Sequence, residues 1–139
     1  MGFSWIFASA FAGNLEIVVE TPHGSMTTEL HEVATCTTQS IQLDDFEGNS
    51  WRVQPTVVPD GDQLRIDLDV QHRWKDGEFI GELHAKPTLV VASGKTATVQ
   101  VQAHCDANDC PTYEITLKPT RFGNHPLACE QRRASRRTR

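Results

Sequence analysis

A chain of 139 residues has the size of one ordinary domain and can bury a core without help from metal or disulfides. Its hydrophobic fraction of 38% separates it from disordered chains. The net charge of −5 is uneven: the last ten residues hold five Arg and one Glu, and removing that +4 leaves about −9 on the rest. An acidic body repels nucleic-acid phosphates, so only the tail could favour them.

The chain opens with MGFSWIFASAFA, apolar and uncharged, and Ala10-Phe11-Ala12 before Gly13 has the small-x-small form of an export-signal cleavage site. The basic segment that normally starts such a signal is missing. Residues 1–13 therefore read either as a truncated export signal or as an apolar first strand or short terminal helix. No run reaches the roughly 18 apolar residues of a membrane-spanning helix.

Leu15–Glu20 alternates in polarity, and Thr21–Ser25 breaks the pattern. Residues 28–35 admit two readings: a short helix, with Leu30, Val33 and Ala34 on one face, or a strand, because Thr is dense around them. Ser40–Phe46 places Ile41 and Leu43 together, and Trp51, Val53 and Val57 share a side before Pro59-Asp60-Gly61-Asp62 turns the chain. From Leu64 to Trp74, Leu64, Ile66, Leu68, Val70 and Trp74 lie on one side. Arg65, Asp67, Asp69, Gln71 and Arg73 lie on the other, and only His72 interrupts the apolar side. Phe79–His84, Thr88–Ala92, Thr96–Ala103 and Tyr113–Lys118 follow as further strands, the last expected to stop at Pro119. Short turns between strands demand antiparallel pairing. The expectation is an all-β antiparallel sandwich or open barrel of about 7–9 short strands, one domain over residues 14–120. Residues 121–139 read as a loop and a disordered, Arg-rich tail.

Four cysteines, at 36, 105, 110 and 129, beside an export-like start favour an oxidising compartment, periplasmic or secreted. Cys105 and Cys110 flank the turn-forming Asp106-Ala107-Asn108-Asp109, which makes their disulfide the first choice and leaves Cys36 with Cys129. His104, Cys105, Cys110, His125 and Cys129 form the one zinc-like set, but their spacing matches no finger pattern, so disulfides or plain thiols fit better and no cofactor is expected. Asp106, Asn108 and Asp109 lack the Gly and Glu of a calcium loop. Asp67 and Asp69 stand about 7 Å apart along one strand, a separation used by inverting glycosidases. Arg65 and Arg73 share that side, and cross-strand ion pairing explains both carboxylates more simply. No nucleophile elbow, zinc-protease motif or phosphate loop occurs.

Val53-Gln54-Pro55-Thr56-Val57-Val58-Pro59-Asp60-Gly61, followed by Leu64–Val70, resembles a hairpin of the secretin family, the outer-membrane channels of type II, type III and pilus systems. Lys86–Val99, a strand, a Gly turn and a second strand, is similar to the family's next segment. The likeness spans residues 51–101 and departs where Val101-Gln102-Ala103-His104-Cys105 replaces a Gly-Gly-Leu-type stretch. It implies scaffold work in a cell-envelope ring without catalytic residues. A lipid-facing strand also suits the eleven residues Leu64–Trp74, but His72 on that side is costly, so a half-buried sheet on a soluble core is favoured.

The chain thus reads as a non-catalytic exported binding or scaffold module that meets a protein partner or a second copy by edge-strand pairing. The alternatives are a sugar- or lipid-binding module with Trp51 and Trp74 as platforms, and an enzyme built on Asp67 and Asp69 or on a metal.

Overall fold

The computed structural model describes residues 12–22, 24–44, 50–76, 79–105, 112–122 and 129, with the backbone alone for 75–76, 79–80 and 104–105. The strands are β1 (Ala12–Thr21), β2 (Gly24–Ala34), β3 (Ile41–Asp44), β4 (Ser50–Asp60), β5 (Gln63–Asp76), β6 (Phe79–Ala85), β7 (Thr88–Val91), β8 (Ala97–Gln102), β9 (His104–Cys105) and β10 (Thr112–Thr120). They form two antiparallel sheets packed as an open sandwich. Sheet I has the order β2-β1-β10-β8, and sheet II the order β3-β4-β5-β6-β9 with β7 also on β5.

Alternation in the sequence becomes two faces in the sandwich. Along β5, Leu64, Ile66, Leu68, Val70 and His72 are buried, whereas Arg65, Asp67, Asp69, Gln71 and Arg73 lie on the outer face. Leu15, Ile17 and Val19 of β1 and Ile115 and Leu117 of β10 meet them from sheet I in one continuous core. The apolar side of β5 therefore faces the opposite sheet rather than lipid. Among the described residues Val90 is the one large hydrophobic side chain that is exposed, so the outer faces carry no apolar band.

Several strands are longer than expected, and two of them, β4 and β10, run through a proline. Pro55 sits inside β4 and Pro119 inside β10. A residue's N–H and C=O point to the same side of a strand. Pro55 O accepts from Gln39 N–H at 3.0 Å, so its missing donor faces residues 38–40, not β5. Pro119 O accepts from Gly94 N–H at 2.6 Å, so its missing donor faces the β7–β8 turn, not β1. Neither proline removes a bond from its long pairing partner, β5 for Pro55 and β1 for Pro119, and β10 runs past the expected stop.

Residues 28–35 are strand, not helix: all but Thr35 belong to β2, paired with β1. The register shifts between Gly13 and Leu15, where His31 and Glu32 form a bulge and Glu32 takes φ 55°. The extra residue puts Leu30 and Val33, three apart, toward the core, and that spacing imitates a helical face.

The chain changes sheets four times, after β2, β7, β8 and β9. After β2, Cys36 N–H donates to Val57 O at 2.8 Å and Thr38 bridges Thr56, so the strand edge continues on β4. After β8, Ala103 is buried and β9 joins β6. At the first crossing Cys36 is bonded to Cys129, 93 positions later, with 5.5 Å between Cα atoms. The first-choice pair, Cys105 with Cys110, lies outside the described side chains, as do residues 1–11 and the Arg-rich tail.

Candidate functional site

The richest chemistry lies on both faces of the β4-β5-β6 part of sheet II. The two-residue turn at Gly61-Asp62 sets the β4–β5 register and brings Trp51 opposite His72. On the inner face these rings stack at 3.9 Å with 5° between planes, and His72 stacks in turn near Trp74 at 5.1 Å. Tyr113 of β10 meets all three rings edge-on, which ties the two sheets together. His72 Nδ1 lies 3.0 Å from Ser50 O, which fixes the imidazole ring in the stack. Trp51 is fully buried, and its Nε1 has no hydrogen-bond partner among the described residues. It is therefore a core residue, not an open platform. Trp74 is half-buried over Gly81, its register partner, where the absent side chain makes room for the indole.

The outer face is polar. Asp67 pairs with Arg65 at 3.3 Å and accepts from Thr88 Oγ1 at 2.9 Å. Asp69 lies 3.2 Å from His84 Nε2 and 3.4 Å from Gln71 Nε2. Both carboxylates are engaged by neighbours on the solvent side, and Arg73 is not the partner of either. The spacing that suggested a glycosidase pair is that of alternate residues on one face of β5.

Beside them is a depression of about 380 Å³ lined by Ser50, Arg52, Gln71, His72, Arg73, Glu82, Leu83 and His84. Arg52, Gln71 and His84 stand side by side on three strands, and Glu82 stands opposite Arg73. Sequence reasoning named Arg73 only as an ion-pair partner and did not join it to Arg52, Glu82 and His84. The signal was present, since counting back from the tips of two consecutive hairpins aligns these residues.

Cys129, bonded to Cys36, is unavailable as a zinc thiolate. The other members of that set, His104, Cys105, Cys110 and His125, lie outside the described side chains, and no metal-ligating group of three occurs among the described residues. The chain matches no protein-family model, no curated protein and no solved structure.

Proposed function

We propose that this chain is a non-catalytic, exported β-module that binds by adding a strand at its own sheet edge. The supporting observation is β8. Natural sheets blunt their edges with charge, proline, bulges or brevity. At the far edge of sheet I, β2 carries Glu29, Glu32 and the bulge. In sheet II, β3 and β7 are four residues each, and Pro87 precedes β7. β8, Ala97-Thr98-Val99-Gln100-Val101-Gln102, has six residues with no charge and no proline, and β10 is its one partner within sheet I among the described residues. Its outward Thr98 and Gln100 meet Thr116 and Glu114 on β10, so an incoming antiparallel strand from a second copy encounters no like charge on β8 itself.

Export is supported by the Cys36–Cys129 bond, because disulfides persist in oxidising compartments. The sharper form, a secretin-like part of a cell-envelope assembly, rests on the 51–101 hairpin segments alone. The test is light scattering of the full chain over a concentration series, with Thr98→Lys and Gln100→Lys combined as the variant. Wild-type association that the two lysines abolish, with an unchanged circular dichroism spectrum, supports the reading. A monomer at millimolar concentration that crosslinks to no envelope protein sinks it.

A further inference from the structure

We infer that the outer-face depression on β4, β5 and β6 binds a carboxylate-bearing sugar, a uronic acid unit. This surface is separate from the β8 edge and does not depend on strand addition. The argument starts from two like charges. Arg52 and Arg73 both line the depression and are exposed. Gln71 is opposite Arg52, and Arg73 is two residues further along β5, so the guanidinium-bearing residues are diagonal neighbours with about 7–8 Å between backbones. Among the described residues neither has an ion-pair partner, although the body of the chain is strongly acidic. The nearby acid Asp69 is occupied by His84 and Gln71. Two unpaired guanidinium groups on one flat face form a fork that matches a planar carboxylate.

The remaining lining decides what carries that carboxylate. Glu82 accepts hydrogen bonds and repels a dianion, which disfavours phosphate. Ser50 Oγ donates to Asp44 Oδ1 at 3.1 Å and Gln71 Nε2 to Asp69 Oδ1 at 3.4 Å, so these two side chains add an acceptor oxygen each. His84 is held through Nε2 by Asp69, which leaves Nδ1 and one ring face for a ligand. Leu83, the aliphatic lining residue, is itself buried, which disfavours a lipid chain. Donors, acceptors and planar groups on a flat sheet suit the hydroxyls and ring of a sugar, with the guanidinium pair reading its acid. At about 380 Å³ the depression is at the small end of ligand sites, the size for one or two sugar units. Beneath it, the Trp51–His72–Trp74 stack stiffens the floor, which His72 helps to line.

The experiment is amide and side-chain NMR titration of the full chain with galacturonic acid and its dimer, alongside galactose, acetate and inorganic phosphate. Saturable shifts at Gln71 and His84 with galacturonate are expected, with Kd on the order of 1 mM or tighter. Combining Arg52→Ala and Arg73→Ala should weaken binding roughly tenfold or more while the rest of the spectrum is retained. Glu82→Gln should weaken the sugar acid but strengthen phosphate. Galactose binding equally well, acetate or phosphate reproducing the same shifts at the same affinity, or no saturable shift at all would overturn the assignment. The lysine variants at Thr98 and Gln100 should leave the titration unchanged, which keeps this outcome independent of the β8 reading.

Discussion

Trp74 lies so close over Gly81 that a Cβ there would fall 2.0 Å from the indole carbons Cε2 and Cζ2. An aromatic ring laid across a cross-strand glycine covers backbone that would otherwise meet water. Gly81→Ala must push the indole away from His72 and loosen the stack, at a cost of about 1–3 kcal/mol. Urea unfolding followed by tryptophan fluorescence measures it, and an unchanged midpoint would show that the indole moves freely. Gly61 is the opposite case: it has open space but φ 64°, so its side chain is excluded by backbone and not by packing. His72 was legible as the one odd residue on an apolar side. Its partners were not, because a stack depends on which residues the hairpin places opposite one another.

At the scale of elements, alternation predicted β5 along nearly its whole length, and Pro59-Asp60-Gly61-Asp62 marked the β4–β5 tip. Two features hid the rest. A proline read as a strand stop is harmless where its missing donor points away from the long pairing partner, as at Pro119, and Pro55 inside β4 is accommodated in the same way. A bulge converts two-residue spacing into three-residue spacing, so β2 resembled a helix over residues 28–35. That bulge gives a prediction. Glu32 occupies the left-handed region at φ 55°, which β-branched side chains strongly resist. Glu32→Val should lower stability by about 1–2 kcal/mol, whereas Glu32→Gly should stay within about 0.5 kcal/mol of the parent. Chemical denaturation of the three proteins under one condition compares them. Equal stability of the Val and Gly variants would remove the strain from the account. The row Arg52–Gln71–His84 belongs to this scale too: each member reads as an ordinary exposed residue until register aligns three strands.

For the whole molecule, the sandwich is held by one core and by the covalent tie from Cys36 to Cys129. The pair was legible by elimination once Cys105 and Cys110 were assigned to each other. Its effect follows from the 93 positions it spans, since closing so large a loop removes freedom from the unfolded chain. Replacing both Cys36 and Cys129 by Ala should cost about 4–5 kcal/mol if chain entropy dominates. The double variant isolates this bond from the other two cysteines, and thermal unfolding at fixed pH reads the change. A loss under about 1 kcal/mol would mean that the sheets hold residue 36 in place without it.

Sheet I carries one more implication, through the pairing of β1 with β10. The first strand sits between its hairpin neighbour and a strand that emerges about ninety residues later, so one edge of β1 is made early and paired late. A chain leaving the ribosome or a translocation pore leaves that edge unpaired and the sheet I side of the core incomplete until residues 112–120 arrive, and that interval is when a holding chaperone would be needed. A truncation ending at residue 111 should bind a hydrophobic dye that the full chain ignores.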